Sequence, residues 1–206
     1  PERGVSEVAQ LVGLHKATAH RIMVTLLNSG YLERTADGER YRLGLRVADL
    51  GMRVLRRLDL RREALPYMRQ LVERFQETCD LTVFDQGEVF CVEVIHSGRT
   101  LTIASRVGQR LPIHCTASGK IFLAHMPAEE RDALLERPLK RYTEWTICDP
   151  AQLCAQLPEI RRRGYACDDQ EHEVGVRAVS APIRDRQGKV VAALAMPGPI
   201  SRIEVE

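Results

Sequence analysis

At 206 residues, with 44% hydrophobic and 28% charged side chains, the chain suits one large domain or two modest ones and has the composition of a soluble globular protein. No run approaches the ~18 to 20 apolar residues that cross a bilayer, and Pro1-Glu-Arg-Gly4 is no signal peptide, so a membrane partner is excluded and a cytoplasmic location expected. The net charge of +2 hides an asymmetry, because residues 1–58 hold ten Lys/Arg against six Asp/Glu and the remainder twenty against twenty-two.

The first elements in chain order are two short helices and a hairpin. Ser6 is the expected N-cap of a first helix that turns Val8, Ala9 and Val12 inward, with Gly13 as its stop. After a tight turn, Ala19, Ile22, Met23 and Leu26 fall at helical spacing and form an apolar stripe expected to pack on the first helix. The other face carries Lys16, Ala17, Thr18, His20 and Arg21: a lysine for phosphate, a small residue for a thymine methyl and an arginine that can fork onto guanine. Gly30 ends that helix, and two short strand-like runs, Tyr31 to Arg34 and Arg40 to Leu43, are joined through Asp37-Gly38, a hairpin signal. A helical hairpin with a solvated basic face is the bland alternative. The three elements in this order and at these short spacings favour a winged helix-turn-helix that binds duplex DNA, with Ser6 of the first helix among the DNA-contacting positions and Arg34 and Arg40 of the wing near the phosphates.

From Leu45 to Leu60 the apolar residues keep a helical period with arginines on the other faces, which predicts a connecting helix. A helix from Ala64 to Thr78 is expected to bury Leu65, Met68, Leu71, Val72 and Phe75, with Pro66 in its first turn. The period then changes to two, and Leu81 to Phe84, Val89 to Ile95 and Leu101 to Ser105 read as strands of an antiparallel meander. Helices are expected over 117–124, 128–135 and 150–163, followed by strands at 165–167, 179–183 and 190–196, which makes an α+β domain. The abrupt start at a helix and the end just after a strand-like run suggest flanking helices outside this numbering.

Taken together, Tyr41-Arg-Leu-Gly44, Gly108-x-x-Leu111-Pro-Ile-His114-x-Thr-Ala-Ser-Gly-Lys120, Arg163-Gly-Tyr165, Asp169-x-Glu171-x-Glu-x-Gly175-Val-Arg and Ala181-Pro-Ile-x-Asp185 resemble the IclR family of bacterial transcriptional regulators. The resemblance covers essentially the whole chain. It implies a winged helix-turn-helix over 1–44, a linker helix over 45–60 and a GAF-like effector-binding domain over 61–206. It further implies a dimer or dimer of dimers on operator DNA, controlled by a small organic acid. The effector positions it carries over are Leu111, Ala117, Ser118, Asp168, Ala178, Ala195 and Pro197, and Ile113 is expected to join the apolar lining.

The residues give an independent reason for the same place. Thr116-Ala-Ser-Gly119 opens a helix, and the N–H groups of a helix start can hold a carboxylate, although the same run is also an ordinary cap followed by residues kept small for packing. Ala178, Ala195 and Pro197 lack polar side chains, so an apolar pocket and an aromatic effector are favoured. The charged stretch Asp168, Asp169, Glu171, His172, Glu173 and Arg177 reads mostly as a solvated loop held by local ion pairs.

Three other chemistries fit these residues less well. Cys79, Cys91, Cys115, Cys148, Cys154 and Cys167 contain no Cys-x-x-Cys pair, and with His114 and His172 they are too scattered to predict a metal site. The enzyme alternative is a GAF-fold thiol nucleophile at Cys115, whose neighbour His114 points away if the segment is extended. Gly119-Lys120 fails as a phosphate loop, because His114 and Ile121 stand where glycine and a magnesium-holding hydroxyl belong. No catalytic residue, metal or cofactor is therefore expected.

Overall fold

The computed structural model describes residues 2–57 and 59–204, without the side chains of 52–57 and 59, and divides the chain into two compact units, Pro1–Asp59 and Leu60–Glu206. In the first, α1 (Val5–Leu11) and α2 (Lys16–Asn28) precede a hairpin of β1 (Leu32–Arg34) and β2 (Tyr41–Leu43), and α3 (Leu45–Arg57) follows. The cap of α1 corrects the expectation. Gly4 is the N-cap and Ser6 an exposed residue inside the first turn, because the Glu7 carboxylate folds back to accept from Gly4 N–H at 2.7 Å and satisfies the helix start without a hydroxyl. Arg3 pairs with Tyr41 through two 2.9 Å backbone bonds, adding a bridge to the wing. Gly44 is forced by close approach, since a Cβ there would lie 2.4 Å from the Gly30 carbonyl oxygen.

The apolar stripe of α2 is only half covered. Ala19 and Met23 are buried, whereas Ile22 is 45% and Leu26 37% exposed, and with Val8, Val12 and Leu14 they line an open apolar groove. Neither α1 nor the wing reaches far enough around α2 to cover them.

The second unit opens on α4 (Asp59–Phe75), which begins five residues earlier than expected and so carries Pro66 in its interior. Met68 and Val72 are buried as the period requires, but Phe75, in the last turn, is 50% exposed. A six-stranded antiparallel sheet follows in the order β5-β4-β3-β8-β7-β6. Its strands are β3 (Cys79–Asp85), β4 (Glu88–Ile95), β5 (Arg110–Leu111), β6 (Ala166–Asp169), β7 (Val176–Arg184) and β8 (Val190–Pro199). The β3–β4 turn places Gln86 and Gly87 at φ 52° and 88°, the left-handed pair that a tight hairpin with matching twist requires.

The expected strand at Leu101 to Ser105 is a loop. Its groups are taken by side chains from elsewhere: Thr78 donates to the Ile103 carbonyl, Arg202 to the Leu101 carbonyl and the Ser105 hydroxyl to Asp80. The ladder partner of β4 is instead the two-residue β5.

Helices α5 (Ala117–His125), α6 (Ala128–Leu135) and α7 (Pro150–Arg163) follow β5. Helix α5 is buried from Ala117 to Ala124, so its Ile121 and Leu123 share one core with Leu153, Leu157 and Ile160 of α7 and Val89 and Ala193 of the sheet. Helix α7 is framed by Asp149, which accepts from Ala151 N–H, by Pro150 in its first turn and by Gly164 at φ 79°.

Candidate DNA-reading face and effector pocket

Lys16, Ala17, His20 and Arg21 are exposed along the N-terminal half of α2, and Thr18 is half-buried beside them. His15 caps the helix through Nδ1, which accepts from Ala17 N–H at 3.4 Å, so the first helical turn presents its side chains outward. The wing is stiffened at its tip, where Asp37 accepts from the Thr35 hydroxyl at 2.6 Å and from Glu39 N–H at 3.1 Å. Arg34 folds back over the Tyr41 ring and donates to the Gly38 carbonyl, whereas Arg40 makes two long exposed contacts, a 3.9 Å one with Glu7 and a 3.4 Å hydrogen bond to the Glu2 carbonyl. Exposed contacts at those distances are worth little and would yield to a phosphate.

In the second unit a cavity of about 290 Å³ lies between the sheet, the start of α5 and the loop over residues 101–109. Seven of the expected effector residues line it: Leu111, Ala117, Ser118, Asp168, Ala178, Ala195 and Pro197. Ile113 does not. Its side chain belongs to the hydrophobic core, and its carbonyl oxygen would lie 2.0 Å from a Cβ on Gly119, so the smallness of Gly119 serves packing while Ala117 and Ser118 face the cavity.

The helix start is capped on one N–H only. Thr116 Oγ1 donates to the Pro112 carbonyl at 2.7 Å and accepts from Gly119 N–H at 3.2 Å, which leaves the first two N–H groups, on Ala117 and Ser118, directed out of the helix end. Ser118 and Ser180 hydroxyls stand 3.1 Å apart, and because Ser180 donates to the Leu194 carbonyl, Ser118 is the donor between them.

The cavity is less apolar than its alanines suggested. Asp80, Thr82, Thr102, Ser105, Gln109 and His172 also line it, and none of them was identified from the sequence as a site residue. Asp80 is 5% exposed, and burial pushes its carboxyl up to about 7 although the Ser105 hydroxyl donates to it at 2.7 Å. Burial likewise pushes Asp168 up to about 7, against the opposing effect of Glu171 N–H, which donates to it at 2.8 Å. The signal for Asp80 was present: an acid inside a run, Cys79 to Phe84, that otherwise reads as buried strand.

The charged stretch after β6 divides in two. Asp169 and Arg177 form a 2.8 Å pair at the surface, as a solvated loop would, but Glu171 is buried against Lys120. Thr143 and Thr146 hold that turn by donating to the Gln170 and Glu171 carbonyls at 2.7 and 2.6 Å. Lys120 is thus a buried structural cation.

The thiol of Cys115 is fully buried, and burial pushes it well above the ordinary cysteine range. His114 is half-committed elsewhere, its Nε2 lying 2.9 Å from the Lys140 carbonyl, so Nε2 carries the proton and donates. Cys79 and Cys91 are pushed up to about 12 by the same burial. Such thiols are poor nucleophiles.

The IclR helix-turn-helix domain model matches residues 1–36, and the model for the C-terminal domain of the bacterial transcriptional regulator IclR matches residues 52–206. The chain belongs to the IclR family. It is 33% identical over 204 residues to the HTH-type transcriptional regulator XynR of Escherichia coli, covering 98% of this chain and 81% of that protein. To the regulator KdgR of the same organism it is 35% identical over 206 residues, covering 100% and 78%. Among solved structures, an IclR homologue from Microbacterium hydrocarbonoxydans complexed with 4-hydroxybenzoate superposes with a TM-score of 0.86 at 33% identity, over 98% of this chain and 84% of that one. The IclR-family chain is accordingly a transcriptional regulator with an α+β effector-binding domain, and among its described residues no helix is long and apolar enough to cross a membrane.

Proposed function

We propose that this regulator binds operator DNA through Lys16, Ala17, Thr18, His20 and Arg21 of α2, with Arg40 of the wing on the phosphate backbone and Arg34 stiffening the wing. We further propose that the cavity of the second unit takes a small organic acid. In this reading residues 1–44 read DNA, 45–60 link and 61–206 sense. The observation that carries the ligand assignment is the pair of N–H groups at Ala117 and Ser118, without a partner among the described residues, at a helix start that opens onto a cavity next to Ala178, Ala195 and Pro197. The 4-hydroxybenzoate bound to the Microbacterium homologue supports an aromatic acid.

A single helix-turn-helix contacts too few base pairs for selectivity, so two copies reading a pseudo-palindrome are the expected assembly, as a dimer or a dimer of dimers. For the acid to control transcription, its affinity must differ between the DNA-bound and free states, a coupling of ~1 to 3 kcal/mol in typical cases. The test is fluorescence anisotropy of labelled operator with and without a panel of aromatic and aliphatic acids. A ligand-dependent change in operator affinity, absent on random DNA, is the expected result; equal affinity for operator and random DNA at physiological salt would overturn the reading.

The thiol-enzyme alternative has a raised, buried Cys115 against it and no observation in its favour.

A further inference from the structure

The acid reading accounts for the end of the cavity at α5 and leaves the opposite wall without a role. That wall is Asp80, on the central strand β3. The sheet register aligns Asp80 with Ala195 and Ser180, and in the next row Pro197 with Ala178 and Asp168, so Asp80 and Asp168 stand on strands separated by β8 and β7. Ser180, whose hydroxyl lies 3.1 Å from that of Ser118 at the start of α5, is two inter-strand steps from Asp80, roughly 10 Å of sheet. A ligand held at the start of α5 therefore has a second polar wall to meet.

Asp80 has an incomplete set of partners. Its Oδ2 accepts from Ser105, but Oδ1 is buried without any hydrogen-bond partner among the described residues. The nearby Thr82 hydroxyl is committed to the Ala193 carbonyl at 3.1 Å, and among the described residues no lysine or arginine lines the cavity to neutralise the acid. A buried carboxylate oxygen with vacant lone pairs requires a donor. Once ionised, Asp80 repels a second carboxylate, which directs the acid group of a ligand to the Ala117 and Ser118 end.

We propose that Asp80 determines effector specificity: its Oδ1 accepts from a hydroxyl or ammonium group carried on the ligand at the end remote from the carboxylate. The effector class is then a hydroxylated or aminated organic acid, not a plain one. This rests on the proposed placement of the acid at the start of α5. A donor from the ligand stabilises the ionised form of a carboxyl that burial raises to about 7 in spite of the Ser105 hydrogen bond.

Calorimetry on the full chain at pH 8 with benzoate, 4-hydroxybenzoate, 4-(aminomethyl)benzoate, phenol and benzylamine tests the proposal. The two donor-bearing acids are expected to bind at least about tenfold more tightly than benzoate, a gap of ~1.4 kcal/mol. Asp80→Leu should erase that gap. Asp80→Asn, which keeps shape and one acceptor oxygen, should weaken the ammonium acid more than the hydroxy acid, and it serves alone if the leucine variant does not fold. Equal binding of benzoate and the donor-bearing acids, a gap that survives in Asp80→Leu, or an ammonium acid weakened no more than the hydroxy acid in Asp80→Asn, overturns the role of Asp80 while leaving the acid reading intact. Asp80-dependent binding of phenol or benzylamine with no acid bound would overturn the placement of the carboxylate and uphold Asp80. Failure of all five probes to bind overturns the proposal.

Discussion

Lys120 of α5 and Glu171 of the turn after β6 are paired with both side chains almost wholly buried, 3% and 9% exposed. The ammonium also donates to the Cys167 carbonyl at 3.2 Å and to Gln156 at 3.4 Å, so all three of its hydrogens are used. The pair fixes α5, and with it the Ala117 and Ser118 N–H groups, against the strand that carries Asp168. Desolvation offsets much of the attraction in such a pair, whereas an orphaned member is strongly unfavourable. Lys120→Met or Glu171→Leu alone should lower unfolding stability by ~3 to 5 kcal/mol, and the double variant should recover most of it. Urea unfolding of the three variants checks this; additive losses would show that the pair is not the reason.

Two glycines should respond oppositely to alanine. At Gly119 the new Cβ would meet backbone, 2.0 Å from the Ile113 oxygen, and neither α5 nor the adjoining segment can yield without disturbing the core. At Gly51, inside α3, nothing lies within 4 Å of the added atom, and alanine gains helix propensity. Gly119→Ala is expected to lower the melting temperature markedly, while Gly51→Ala should raise stability by ~0.5 to 1 kcal/mol. Thermal unfolding of both decides the matter.

The buried carboxyl of Asp80 makes stability depend on pH in a defined direction. It ionises near 4 in the unfolded chain and at about 7 when folded, so the folded state holds the extra proton between those values. Stability therefore falls as pH rises from about 4 to about 7, and the full penalty, at most ~4 kcal/mol, is present above that range. Asp80→Asn removes the ionisation, so its melting temperature should exceed that of the wild type by more at pH 8 than at pH 4.5. A wild type as stable as the variant at pH 8 would refute the burial argument.

On the DNA side, Arg21 and Arg40 separate base reading from backbone attraction. Arg21→Ala should weaken operator binding and relax base preference by ~1 to 3 kcal/mol, whereas Arg40→Ala should weaken all sequences alike. Competition between operator and shuffled duplexes at several salt concentrations distinguishes the two.

Filling the cavity tests its use directly. Ala195 is 7% exposed and lies between Asp80 and Ser180 in the sheet. Ala195→Phe places a ring where the ligand would sit and should abolish acid binding in calorimetry. Binding undiminished in a folded variant would move the site elsewhere.

What the sequence determined by itself was local and periodic. The apolar spacing of 16–28 and 150–163, the Asp37-Gly38 and Gln86-Gly87 turns and the small-residue run at Thr116 to Gly119 each specify an element, because capping, periodicity and positive φ act over a few residues. Seven of the cavity residues were legible through the motifs that carry the family resemblance. Tertiary structure alone decided which side chains were removed from water and what they met. Leu101 to Ser105 has strand periodicity, yet Thr78, Arg202 and Asp80 claim its polar groups and make it a loop. Ile113 and Leu111 stand two residues apart and both pack on the core, and only the folded position of the segment against α5 puts Leu111 on the cavity as well. Asp80 and Asp168 lie 88 residues apart in the chain and line one cavity only through the order β3-β8-β7-β6, so the electrostatics of the pocket exist only in the folded sheet.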